Sequence, residues 1–173
     1  MSTKDIKFWL EEKDLKTPEH DEIVLWAFNN INKFISEDVI KDFEIEKKIE
    51  YAIGGSYNIG FIDLAILCNL NKRLMTGEFS ELEKKYRDVC IKLHNEYSYD
   101  FTGRLQVYIE VKPKIDSIGE VLRQISYYRK YLPFNHHFVL ITKTKGLKDL
   151  FKTQGIDVIE YESKKEEKNG SLL

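Results

Sequence analysis

The chain has 173 residues, 42% of them hydrophobic, with ten Phe and ten Tyr, enough for one well-filled core and too few for two comfortable domains. A formal net charge of -2 excludes a general attraction to nucleic acid, so any phosphate contact has to come from a local patch. Cys68 and Cys90, with no CxxC spacing, point to a reducing compartment and argue against a zinc site or a four-cysteine iron–sulfur cluster. No run approaches about eighteen apolar residues and the charged N-terminus has no secretory pattern, so an intracellular, cytoplasmic protein with no membrane segment is expected.

Residues 2–14 carry Ile6, Phe8, Trp9 and Leu10 among charges, which predicts a short helix laying its aromatics on the body. Trp9 reads as packing, with base stacking as the sharper alternative. Thr17-Pro18-Glu19-His20 is a helix start: a Thr cap, Pro at the first helical position and acid in the first turn. Ile23, Trp26, Ala27, Ile31 and Phe34 or Ile35 follow at helical spacing, so an amphipathic helix to about Ile35 is expected. Phe43–Ile53 and Ile59–Leu67 are β-compatible runs separated by Gly54-Gly55-Ser56-Tyr57-Asn58, which predicts an antiparallel hairpin. The second run is apolar except for Asp63, and one acid in such a strand calls for an explanation.

Residues 70–102 read as a helical insert. Ser80-Glu81-Leu82-Glu83 fits a capping box, and Leu82, Tyr86, Val89, Cys90, Leu93 and Tyr97 form an apolar stripe behind it. Lys84, Lys85, Arg87 and Lys92 decorate the other flanks, as a solvated face or as a phosphate-binding one. The stretch from Gln106 to Tyr131 then organises the chain: a strand over Gln106–Lys112, a turn at Pro113 and a helix opening at Ser117. Strand alternation puts Val107, Ile109 and Val111 in one apolar row and Tyr108, Glu110 and Lys112 in the other. His137–Thr142 reads as a buried strand, Leu147–Thr153 as a short helix closed by Gly155, and Ile156–Tyr161 as a last strand. Residues 163–173 have charge and little to bury, so a disordered tail is expected after a single domain over residues 1–162. The order of elements gives an α/β sandwich with a central mixed sheet flanked by helices.

Glu110 and Lys112 on one strand face, with Asp63 on a strand that would lie beside it, have complementary demands. Two carboxylates and a nearby main-chain carbonyl, that of Val111, are hard oxygen ligands suited to Mg²⁺ or Mn²⁺. Such a cation polarises a phosphoryl oxygen and lowers the pKa of bound water, and Lys112 beside it offsets charge growing on the phosphate. Metal-assisted phosphodiester hydrolysis fits these parts. The plain alternative is an ion pair between Glu110 and Lys112 on a partly exposed edge, with Asp63 capping a turn.

Asp63 followed by Glu110-Val111-Lys112 resembles the signature of the PD-(D/E)XK nuclease superfamily. Gly60-Phe61-Ile62-Asp63 is similar to the G-x-x-D form, and Gln124-Ile125-Ser126-Tyr127-Tyr128 to the Q-x-x-x-Y helix motif of the RecB-like branch. The resemblance covers roughly residues 18–161. It implies a restriction-endonuclease-like αβ-sandwich, a site in which Asp63 and Glu110 bind metal and Lys112 assists catalysis, and site roles for Gln124 and Tyr128. It also implies that a first-helix acid, Glu22 in preference to Glu19, completes the metal set. Two departures stand out. The chain cannot supply the four cysteines of the iron–sulfur members, and the long segment between Asp63 and Glu110 leaves the pairing of their strands presumed. The insert would grip substrate or dimerise.

A metal-dependent DNA nuclease is therefore the leading expectation. An inactive nucleic-acid-binding or scaffold subunit with the same fold is the alternative, and an RNA-directed nuclease a third, since nothing in the residues reads a 2′-hydroxyl. A homodimer or a larger complex is compatible with the chain's small size. His136-His137 is a poor metal pair, because neighbours on a strand point opposite ways. Tyr127, Arg129, Lys130 and Tyr131 form an aromatic and basic cluster that reads either as a backbone-binding surface or as an ordinary helix exterior.

Overall fold

The computed structural model describes residues 18–37, 40, 43–54, 56–70, 104–133 and 136–162. The expected helix over 2–14, the Thr17 cap, the helix of the 70–102 insert and the 163–173 tail lie outside the described residues. Within them the chain is mixed α/β: a five-stranded mixed sheet and three helices. The sheet runs in the order β1 (Phe43–Ile53), β2 (Gly60–Leu70), β3 (Arg104–Val111), β4 (His136–Thr142) and β5 (Asp157–Glu160). The first two pairings are antiparallel and the last two parallel. No helix among the described residues is long and apolar enough to cross a membrane.

Helix α1 (Pro18–Asn29) starts with proline in its first turn beside Glu19 and Asp21, where a missing N–H costs nothing and acid meets the positive end of the helix. It buries Ile23, Val24, Ala27 and Phe28 against Leu64, Ile66, Val107, Ile109 and Val111 of one sheet face. The helix ends earlier than its apolar spacing predicts. Asn30 donates from its side chain to the Trp26 carbonyl at 2.8 Å, the same acceptor that its backbone N–H uses, and the chain continues as a 3₁₀ turn over Ile31–Lys33. Phe34 and Ile35 are buried all the same, because the apolar surface follows the bent chain.

The opposite face of the sheet carries α2 (Ile118–Arg129) and α3 (Lys148–Lys152), which bury Val121, Ile125 and Phe151 against Ile62, Ala65, Tyr108, Phe138 and Leu140. Ser117 caps α2 by accepting the Glu120 N–H at 3.4 Å, which fixes the start of the helix where the capping pattern puts it. β3 is the central strand. Its odd residues Val107, Ile109 and Val111 meet α1 while Tyr108 faces the α2 side, so both faces of β3 are covered as the alternation requires. Full burial of each Val or Ile in such a row contributes on the order of 1.5–3 kcal/mol.

One irregularity shapes the β1–β2 hairpin. The register runs from Phe43↔Leu70 to Ile53↔Gly60 but skips Glu50 and Asp63. Glu50 has φ +49°, a left-handed conformation unusual for a residue with a Cβ. On either side of this point the alternation slips: Ile49 and Leu64 pack with the α1 cluster, whereas Tyr51 and Ile62, each two residues away, pack with the α2 cluster. One residue of each strand leaves the ladder, so the register is kept while the faces exchange at Glu50 and Asp63. The hairpin is closed by Ile59 N–H donating to the Ile53 carbonyl at 2.8 Å, and Gly54 (φ +121°) is required there because a Cβ would lie 2.1 Å from the Tyr57 carbonyl oxygen.

Relief of the Glu50 backbone separates this strain from ordinary strand packing. Glu50→Gly is expected to match or exceed the wild type in urea-unfolding midpoint, whereas Glu50→Val is expected to lose about 1–2 kcal/mol. Equal loss in both variants would contradict a strained left-handed position.

Candidate active site at the fork of two strands

The β2–β3 ladder runs from Asn69↔Arg104 to Leu64↔Ile109 and stops there. Asp63 and Glu110 are the next residues along the two strands, so the carboxylates that the sequence separates by the long insert stand opposite each other where the strands part. The Val111 N–H, which faces β2, is taken by the Asp63 side chain: it donates to Oδ2 at 2.7 Å. On the other side of β3, Lys112 N–H still donates to the Ile141 carbonyl at 2.9 Å, so the strand stays anchored to β4 while it leaves β2.

Glu110 is 2% exposed. Its Oε1 accepts from Lys112 Nζ at 2.8 Å and from Gln124 Nε2 at 2.8 Å. Its Oε2 is buried with no hydrogen-bond partner, which is costly for a carboxylate and is an opening for a ligand. Burial pushes the Glu110 carboxyl up to about 7, the charge of Asp63 adds to the rise, and Lys112 and Gln124 oppose it. Burial lowers the Lys112 pKa, but Glu110, Asp63 and Tyr128 together outweigh it, so its ammonium is held above the usual range. The strand-edge ion pair of the plain reading is thus a buried carboxylate with a half-buried ammonium.

Gln124 and Tyr128 lie one turn apart on α2, and both face the site. The Gln124 amide donates to Glu110 and also to the Tyr128 hydroxyl at 2.9 Å. The Tyr128 ring lies on Gly60: a Cβ there would come within 2.8 Å of Cε1 and 3.0 Å of the hydroxyl oxygen. The glycine of Gly60-Phe61-Ile62-Asp63 therefore leaves room for the tyrosine of the helix motif, and Gly60, Tyr128, Gln124 and Glu110 form one connected chain.

The first helix brings a residue that the sequence reading passed over. His20 Nε2 is 3.1 Å from Asp63 Oδ1, and its Nδ1 is 3.0 Å from Asp21 Oδ1. The hydrogen bond to Asp63 raises the His20 pKa to about 9 against the pull of burial, with Asp21 adding to the rise, so the ring is a cation near neutral pH. Glu22, expected to complete the metal set, instead accepts from the Tyr161 hydroxyl at 3.3 Å, and Glu19 pairs with Lys143 at 2.6 Å. Helical geometry explains the difference. His20 precedes the buried Ile23 and Val24 by three and four residues and shares their stripe, whereas Glu22 sits off it. That spacing was present in the sequence.

Other sequence candidates fall elsewhere. His136 stands edge-on to Tyr108, while His137 is buried on the α1 side, 3.9 Å from Asp157 Oδ2; the pair diverges as neighbours on a strand do. Arg129 leaves the expected basic cluster, its guanidinium donating to the carbonyls of Gln154 and Gly155. Among the described residues no group of three or more His, Cys, Asp and Glu is gathered closely enough to hold a metal ion. A cation at the fork would rely on Asp63, Glu110, the main-chain oxygen of Val111 and water, a sparse set of the kind Mg²⁺ accepts. The unpartnered Glu110 Oε2 fits such a ligand.

No protein-family model, no curated protein and no solved structure matches this chain.

Two outcomes test the site as built. Gly60→Ala is expected to cost about 1–3 kcal/mol of unfolding free energy, and much of that cost should disappear in a Tyr128→Ala background, where the new methyl has room; additive losses would mean the contact is unimportant. The second concerns pH in the presence of a chelator. Glu110 has a folded pKa raised from 4.5 to about 7, so the stability it contributes is complete below pH 4.5 and lost as pH rises through about 7. His20, raised from 6.5 to about 9, extends the loss to about pH 9. Relative to wild type, Glu110→Gln should flatten the melting temperature over the lower window and His20→Asn over the upper; parallel curves would contradict both assignments.

Proposed function

We propose that the protein is a metal-dependent nuclease that hydrolyses phosphodiester bonds in DNA, built on the restriction-endonuclease-like αβ-sandwich of the PD-(D/E)XK superfamily in its RecB-like form. One observation carries the reading: groups from three separate stretches, Asp63, the Glu110-Val111-Lys112 strand end and the Gln124/Tyr128 helix face, are joined by hydrogen bonds and charge coupling at one fork of the sheet. The strand order and directions support the same fold.

Hydrolysis adds water across a P–O ester bond: the water oxygen bonds phosphorus, and an ester oxygen leaves carrying a proton. Asp63, Glu110 and the Val111 carbonyl would hold Mg²⁺ or Mn²⁺, which supplies Lewis acidity and a water of lowered pKa. The chain's own residues prepare the rest. The Val111 N–H fixes one Asp63 oxygen, leaving the other to His20. Gln124 fixes the Glu110 carboxylate through one oxygen and leaves Oε2 without a partner. Lys112, held by Glu110 but about one-third exposed, presents its ammonium to an incoming phosphate and to charge that develops on it.

A second reading has its own observation. Asp63 is already paired with His20 and Glu110 with Lys112, so the fork is charge-balanced by the protein itself. That favours a nucleic-acid-binding scaffold that does not turn over.

The two readings part in a cleavage assay on single- and double-stranded DNA, with RNA alongside, in Mg²⁺ and in Mn²⁺. The nuclease reading expects cleavage that falls at least about 10²-fold in Glu110→Ala, Lys112→Ala and Asp63→Ala. Wild-type activity no greater than that of the variants on every substrate would leave the scaffold.

A further inference from the structure

The α1 side of the sheet holds a cavity of about 230 Å³ away from the fork. Val107 of β3, Val139 of β4 and Ile159 of β5 form its floor across three parallel strands, and Phe34 completes the apolar lining. Val107 precedes Glu110 by three residues, about 10 Å along an extended strand, so the cavity and the fork are separate places on β3. Three polar side chains join this lining: Lys33 at the end of the 3₁₀ turn, and His137 and Asp157 near the starts of β4 and β5.

The charges around the cavity are of both signs and do not cancel one another. Among the described residues no ion pair joins Lys33 to Asp157. His137 Nδ1 lies 3.9 Å from Asp157 Oδ2, longer than a hydrogen bond, and its buried ring is a fixed side of the cavity. Burial pushes the Asp157 carboxyl up while the charge of Lys152 opposes the rise, and a cation beside it would favour the ionised form.

This lining selects among ligands by charge. A purely anionic ligand would set its charge against Asp157, and a purely cationic one against Lys33. A neutral apolar ligand would take water from both groups and return no hydrogen bond. An ammonium and a carboxylate on one small apolar body satisfy both. Size narrows the choice further, because the volume is that of about eight water molecules at about 30 Å³ each. That admits a single amino acid and excludes a dinucleotide.

We propose that this cavity binds an apolar α-amino acid, with its carboxylate on Lys33, its ammonium on Asp157 and its side chain on Phe34, Val107, Val139 and Ile159. Recognition uses none of the fork residues, so it stands whatever reaction the fork performs.

Calorimetric titration of the full chain with L-leucine and with L-phenylalanine tests the site. At least one of them is expected to bind with a Kd of about 1 mM or tighter. Its amide, which lacks the carboxylate, and its deaminated acid, which lacks the ammonium, should each bind at least about 10-fold more weakly. Glycine, with no side chain for the floor, should bind more weakly as well. Lys33 is exposed and the Asp157 side chain is 40% exposed, so substitutions there leave the core in place. Lys33→Met should erase the preference over the amide, and Asp157→Asn the preference over the deaminated acid. Melting temperatures within a few degrees of wild type identify variants that fold, and the wild-type ligand series decides the matter without them. A Kd weaker than about 1 mM for both amino acids, controls that bind as tightly as the amino acid, or both preferences intact in folded variants would overturn the proposal.

Discussion

The site depends on one hydrogen bond, the donation of the Val111 N–H to the Asp63 carboxylate where β2 and β3 part. In a continuing ladder that N–H would meet a main-chain carbonyl of β2. At Glu50 and Asp63 the side-chain alternation slips while the register is kept, and a side chain takes the place of the missing rung between β2 and β3. Charge and backbone geometry are thus tied together. Asp63 is held at the sheet, Glu110 faces it from the next strand, and burial together with the charge of Asp63 lifts Glu110 well above its ordinary pKa. Burying acid this way is costly without compensation, and the compensation comes from both faces of the sheet: His20 from α1, Lys112 from the strand end, Gln124 from α2.

From this follows a division of labour between the two cores. The α1 cluster holds β3 from one side through Val107, Ile109 and Val111 and delivers His20 as an extension of its buried stripe. The α2 cluster holds the other side and delivers Gln124 and Tyr128, whose ring needs the bare backbone at Gly60. Neither set of contacts is long-range in space, yet the residues involved come from widely separated parts of the chain. The parallel β3–β4 pairing continues past the fork, since Lys112 N–H remains bonded to the Ile141 carbonyl of β4 after β3 has left β2.

Much of this was legible in the residues. The alternation of β3 assigned its two faces correctly, because an interior strand packed on both sides obeys period two strictly. The Ser117 cap set the phase of α2 and hence the side on which Gln124 and Tyr128 meet Glu110. The end of α1 was missed because the apolar spacing runs on through Phe34 and Ile35 while Asn30 diverts the backbone, and a periodic pattern cannot distinguish a straight helix from a bent one. The preference for Glu22 over Glu19 followed the chemistry of the resemblance, and His20, which the helical wheel places on the buried stripe of α1, was passed over. The irregularity at Glu50 and Asp63 had no local signal: Glu50 is neither glycine nor asparagine, yet its backbone is left-handed.

The central claim is that the fork assembles a site for a divalent cation from Asp63 and Glu110. Calorimetric titration of the full chain with Mn²⁺ tests it most directly, with Asp63→Asn and Glu110→Gln, variants that keep shape and remove charge, measured beside it. The account predicts a saturable binding isotherm in the wild type that is lost in each variant, accompanied by proton release at neutral pH as His20 and Glu110 give up protons to the incoming charge. Absence of saturable heat in the wild type, or isotherms unchanged in both variants, would contradict it.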